Sequence, residues 1–192
     1  MGFKDGTNNV EGDDRALMES QVWVGATDQS AWMRGGSYLV SRRIRMRIEQ
    51  WDRDFLGDQE NVIGRVKSTG APLGGNHECD TVPLAAKHGD GSLVIPADAH
   101  SRLAAPATNG GAHLLRRGCS FTDGVDPVTA GLEAGLFFLA YMRDPRHQFV
   151  PIQNRLAAND SLNEYIERAS SAIFAVPPGV ERGGYIGGTL FT

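Results

Sequence analysis

The sequence has only two cysteines, Cys79 and Cys119, in 192 residues, too few for a disulfide scaffold. The count leaves open whether they pair. No apolar run reaches the roughly 18 residues of a membrane span, so none is expected. Basic residues are no commoner than acidic ones: 19 Lys and Arg stand against 23 Asp and Glu, a net charge of -4. That balance, with no polybasic run, argues against nucleic acid or an anionic membrane surface as partner. Also missing are a His-Glu-x-x-His helix, a Cys-x-x-Cys pair and any Cys/His cluster, which excludes the common zinc sites. No Gly-x-Ser-x-Gly elbow and no phosphate loop with its Lys-Ser/Thr occur, which removes two large enzyme classes. The first residues show neither a charged nor an apolar leader region, so no signal peptide is expected.

What is present fits one globular domain. The chain is 41% hydrophobic and 22% charged, enough to bury a core and too apolar for wholesale disorder. Its 24 glycines are about twice the usual share and predict many turns and close backbone approaches. Opening on a Gly-rich turn with no strand feeding it reads as the middle of a longer protein.

Hydrophobic periodicity predicts strands at 22–26 and 37–48, the second alternating apolar residues with Arg42, Arg43, Arg45 and Arg47. A helix is expected over 49–66. From Lys67 to about Gly111 the chain reads as a long irregular excursion, and so long a segment in a compact domain is usually functional. A buried strand follows at 132–142. A helix over 144–158 comes next, with Asp144 as N-cap and Pro145 in its first turn. A shorter helix over 160–168 and a strand from Ser171 to Val176 close the pattern. The fold class is α+β, with a mostly antiparallel sheet.

Three short stretches could carry chemistry: Gly2-Phe3-Lys4-Asp5-Gly6, Asp98-Ala99-His100-Ser101-Arg102, and Leu115-Arg116-Arg117-Gly118. Singly, each has an ordinary reading as a turn, a solvated histidine or surface arginines. Further on stand Phe138-Leu139-Ala140-Tyr141-Met142-Arg143-Asp144-Pro145, then Asn159-Asp160-Ser161-Leu162-Asn163-Glu164-Tyr165-Ile166, then Ser171 to Gly179. In this order the set resembles the dye-decolorizing peroxidase family, in its deferrochelatase-like branch, over nearly the whole chain. Family members carry a whole domain ahead of the GxxDG motif, so the resemblance implies the C-terminal half alone, residues 1–192, with the N-terminal ferredoxin-like half absent.

The resemblance implies a ferredoxin-like fold, half of a two-domain peroxidase. It implies haem b, with His100 as the axial ligand to iron and Asp160 as the carboxylate that holds the second ring nitrogen. Asp160 could equally be the N-cap of the helix that follows it. Asp5 matches the distal acid that moves a proton during peroxide cleavage, and Arg116 the arginine that stabilises developing negative charge. Sequence alone would not choose Arg116 over Arg117; the family's Arg-x-Gly pattern does. Arg102 fits a haem-propionate partner. One alternating face of Leu136-Phe137-Phe138-Leu139 would line the distal wall, without the sequence saying which. Trp51, Tyr141, Tyr165 and Tyr185 are electron-relay candidates for which core packing is the plainer reading. The implied partners are hydrogen peroxide and bulky dyes or phenols, with a homo-oligomer expected. Export by the twin-arginine route, to an extracellular or periplasmic location, is the family's habit. Two other readings stay open: a non-enzymatic module that binds haem or takes iron from it, and a structural half-domain that pairs with another chain.

Overall fold

The computed structural model describes residues 2–4, 7–28 and 30–191. Its frame is one sheet in which every pairing is antiparallel: β1 (Ser37–Met46), β2 (Leu115–Arg116), β3 (Cys119–Val125), β4 (Leu132–Met142) and β5 (Ile166–Val176). The order is β2-β4-β1-β5, with β3 joining the same edge of β4 as β2. Helices are short: α1 (Arg15–Gln21), α2 (Ile48–Trp51), α3 (Leu56–Ile63), α4 (His100–Ala104) and α5 (Phe149–Asn159). This is the α+β, ferredoxin-like fold that the sequence predicts.

Alternation places β1 and a continuous apolar run places β4; β4 lies where expected, and β1 ends at Met46, two residues early. The other boundaries shift for physical reasons. Residues 22–26 stay outside the sheet, because Val24 exchanges two 2.8 Å backbone hydrogen bonds with Gly35 and Gly36 instead. The helix expected over 49–66 breaks into α2 and α3, since Phe55 is extended and restarts the winding. Gly64, at φ +82°, ends α3; a Cβ there would lie 2.2 Å from Ser101 Oγ, so glycine lets α4 approach. The helix expected from 144 begins at Phe149, because Asp144 turns its carboxylate onto the Arg146 N–H at 2.9 Å and forms a local turn. The helix expected over 160–168 is a single 3-10 turn, Ser161–Glu164, and β5 starts at Ile166. There the long free edge of β1 recruits Ile166–Ser170 as strand, overriding local propensity. Sequence reading also missed α1, which Asp14 caps through the Leu17 N–H at 2.9 Å, and the polar strand β3.

Cross-strand pairing sorts the side chains onto two faces. Arg116 pairs with Ala140 and Val40 with Ala140, while Arg42 pairs with Phe138, so these share one face. On that face Val40, Ala140 and Met142 are buried together with Phe138 and Phe149, and α5 covers them. α4 packs on α5. The opposite face carries Leu115 and Tyr141, which close a second cluster with Val10, Met18 and Val22 under α1. A third cluster seats Trp51 against Met46, Ile63, Leu162 and Tyr165.

Candidate active site

His100 is the first residue of α4, and Asp160 is the residue that ends α5 and caps the 3-10 turn after it. Their side chains meet, with His100 Nδ1 2.7 Å from Asp160 Oδ2. The carboxylate is almost fully buried, 1% exposed, whereas the imidazole is 36% exposed. Asp160's other oxygen, Oδ1, accepts the Leu162 N–H at 2.9 Å. Asp160 thus does two things at once: one oxygen caps the 3-10 turn, and the other meets the His100 ring. In the neutral ring, a carboxylate beside Nδ1 favours the tautomer with its proton on that nitrogen, which leaves the Nε2 lone pair for a ligand.

A second tie aligns the two segments. Ser161 donates its N–H to the Asp98 carbonyl at 3.1 Å, and its hydroxyl donates to the Asp98 carboxylate. Nothing in the sequence marks this pair. Arg102, two residues beyond His100, donates Nε to the Ile95 carbonyl at 3.1 Å and Nη2 to the Leu84 carbonyl at 2.8 Å. It thereby staples the irregular excursion to α4 and has Nη1 left for an outside carboxylate.

Arg116 projects from β2 on the face covered by α5. Its Nη2 donates to the Thr7 carbonyl at 2.7 Å, and its main chain exchanges two 2.8 Å hydrogen bonds with the Asn9 side-chain amide. Residues 7–9 thus run beside β2 as an extra rail. Arg117 lies on the other face, exposed, with Nη1 on the Arg116 carbonyl at 3.1 Å. It lines a separate cavity of about 420 Å³ with Trp23, Tyr141 and Pro177. The face alternation puts Leu136 and Phe138 on Arg116's side, and Phe137 and Leu139 point the other way. Asp5 lies outside the described residues.

Nearby sits Arg65, buried at 8% exposure, donating Nη1 to the carbonyls of Gly70 (2.7 Å) and Glu78 (3.1 Å). Burial, and then the positive charge of Arg116, weaken its hold on its proton. Of the aromatic candidates, Trp51 is fully buried and meets Tyr165 edge-on at 4.9 Å. The Asp54 carboxylate, with burial, pushes the Tyr165 phenol up to about 12. Tyr185 is 64% exposed on the C-terminal loop.

One imidazole with its lone pair directed away from a buried carboxylate is the donor set for a group that brings its own equatorial ligands. No three His, Cys, Asp or Glu side chains among the described residues converge to hold a bare metal ion. A porphyrin asks for one axial nitrogen, and the residues fit it.

Comparison with known proteins agrees. Residues 1–181 match the family model of the C-terminal part of Dyp-type peroxidases, and the chain belongs to that family. It is 45% identical to the dye-decolorizing peroxidase of Thermobifida fusca, over 99% of this chain and 44% of that protein. It is 42% identical to the deferrochelatase of Escherichia coli K12, over 99% of this chain and 45% of that one. Among solved structures, ferric DtpA from Streptomyces lividans superimposes with a TM-score of 0.91 at 41% identity, covering 98% of this chain and 51% of that chain. A Dyp-type peroxidase from Cellulomonas bogoriensis gives 0.91 at 39% identity, over 98% of this chain and 51% of that one. The chain thus spans about half the length of the relatives it matches. Among the described residues no helix is long and apolar enough to cross a membrane.

Proposed function

We propose that this chain is the haem b-binding part of a peroxidase that reduces hydrogen peroxide and oxidises bulky organic reductants such as dyes and phenols. The observation that carries the reading is the 2.7 Å contact from His100 Nδ1 to the buried Asp160 carboxylate. That contact would fix the tautomer, leave Nε2 to ligate the iron of a bound haem and make the imidazole a stronger donor. Haem supplies, when bound, an iron centre that exchanges electrons with peroxide.

The remaining residues handle charge and protons. Arg116 is held by Thr7 and Asn9 on the sheet face beneath α5, where its guanidinium stabilises negative charge as the O–O bond breaks. Asp5 takes a proton from one peroxide oxygen and delivers it to the other, so that water can leave. Leu136 and Phe138 exclude water beside Arg116. Arg102 would hold a haem propionate. An exported location, extracellular or periplasmic, and assembly of like chains belong to the same reading.

The test loads the chain with hemin and follows peroxide-dependent oxidation of a phenol. Turnover with haem retained supports the peroxidase. Loss of iron with an intact porphyrin left behind would instead indicate an iron-from-haem activity, the chemistry suggested by the name of the Escherichia coli relative. Failure to bind hemin at all would overturn both.

A further inference from the structure

Away from His100 and Asp160, a polar cluster ties the first residues of the chain to the irregular excursion, and Glu78 is its centre. Oε2 of Glu78 accepts from Lys4 Nζ at 2.6 Å, and Oε1 accepts from Thr7 Oγ1 at 3.1 Å. These are the described residues that flank Asp5-Gly6. Glu78 is itself anchored, because its carbonyl takes Nη1 of the buried Arg65 at 3.1 Å. Thr7 then passes the anchorage on, since its carbonyl accepts Arg116 Nη2 at 2.7 Å. A continuous line of hydrogen bonds runs from Arg65 through Glu78 and Thr7 to Arg116.

We infer that Glu78 is a positioning residue for Arg116: by gripping Lys4 and Thr7 it fixes the carbonyl on which the guanidinium rests. The inference deepens the peroxidase reading and rests on it. An arginine side chain has several rotatable bonds, and fixing it loses entropy unless a rigid acceptor awaits it. Thr7 alone is a poor anchor. It is half-buried, beside an exposed Asn8 that turns the chain in the left-handed region at φ +55°. A carboxylate suits the post because it accepts from an ammonium and a hydroxyl at once. It also supplies negative charge between Lys4 and Arg65. The Lys4 hydrogen bond holds its pKa below the usual carboxylate range, so it is ionised at neutral pH.

The test uses Glu78→Ala and Glu78→Gln in the full chain, loaded with hemin. Fluoride is the probe, because a bound anion reports the donor that Arg116 offers, independently of turnover. Glu78→Ala is expected to weaken fluoride binding about tenfold and to slow the reaction with peroxide by a similar factor, with hemin affinity unchanged; one hydrogen bond to a charged group has that order of effect. Glu78→Gln, with a single accepting oxygen, should fall between, and it carries the comparison if the alanine variant does not fold. Asp80→Asn, on the same loop but engaged only with the N–H groups of Asn76 and His77 and with the His77 ring, should match the parent. Parent-like fluoride affinity and peroxide rate in Glu78→Ala and Glu78→Gln would overturn the inference. If the parent itself takes up no hemin, the function reading fails. Amide exchange in the haem-free chain then decides: Glu78→Ala should speed exchange at the Arg116 N–H about tenfold, and unchanged exchange would overturn the inference.

Discussion

His100 and Asp160 stand 60 residues apart in the chain, yet their side chains meet at 2.7 Å across the starts of two short helical turns. Neither segment could hold this geometry alone. α4 has no side-chain N-cap, and its first residue is aligned by the Asp98–Ser161 tie and by α5.

Replacing Asp160 by Asn keeps the shape but removes the negative charge facing the ring and leaves a single accepting oxygen where the carboxylate offers one to the Leu162 N–H and one to the ring. The imidazole then donates less density to the iron, and the ferrous state gains. Partners of ligand histidines are worth roughly 10–100-fold. At about 59 mV per tenfold for one electron, the midpoint potential of the hemin-loaded protein should rise by about 60–120 mV. Redox potentiometry checks this, and an unchanged potential would separate Asp160 from the ligand.

Arg116→Leu should retain hemin and slow the reaction with peroxide by roughly a hundred- to a thousandfold, the usual loss when one charge-stabilising donor is removed. Asp5→Asn should slow the same step by roughly a hundredfold or more, as proton-shuttle removal does. Arg117→Leu, on the opposite face, should leave the rate alone. Stopped-flow mixing of each variant with peroxide gives the comparison.

Stability has a pH signature at the end of β4. Arg143 holds Asp28 in a two-pronged pair, Nε and Nη2 each 2.8 Å from a carboxylate oxygen. That hydrogen bonding keeps the Asp28 pKa below its ordinary 3.8. A lowered folded-state pKa means the stabilisation is present above the unfolded value and fades as pH falls through the folded one. Asp28→Asn should therefore cost about 1 kcal/mol at pH 7, a drop in Tm of about 2–4 °C for a chain of this size. The difference from the parent should vanish well below pH 3.8. Thermal melts across that range test the sign.

The free edge of the sheet predicts self-association. Among the described residues β5 is paired only to β1, and it leaves Ile173 55% and Phe174 51% exposed on opposite faces. An exposed apolar edge strand is a template for another chain. Light scattering should find a dimer or larger species at micromolar concentration, and Ile173→Lys with Phe174→Lys should return a monomer. A parent that is monomeric throughout would contradict this.

Much of the frame was legible because burial writes itself into sequence by period. The two central strands, alternating or continuously apolar, were placed nearly residue for residue. Edges were not. β3 is half polar, and the first half of β5 reads as helix until β1 pairs with it. The candidate site divides the same way. His100, Arg116 and Asp160 lie in motifs the family resemblance picks out, and the structure brings His100 and Asp160 together. Glu78, Thr7, Asn9 and the Asp98–Ser161 tie stayed invisible, because each acts through a partner distant in sequence and carries no local pattern. Asn9 in particular reads as any loop asparagine until it is seen gripping the main chain of Arg116.

The central claim is that His100 ligates haem iron, and hemin titration of single-histidine variants tests it most directly. Of the five histidines, His77 and His147 are exposed beside Asp80 and Asp144, and His113 holds the Gly111 carbonyl through Nδ1. His88 sits on an exposed turn. The account predicts that His100→Ala abolishes or strongly weakens hemin binding and removes the absorbance bands of a histidine-ligated ferric haem, while the variants at His77, His88, His113 and His147 titrate like the parent. A His100→Ala protein that binds hemin with the parent's spectrum and affinity would contradict it.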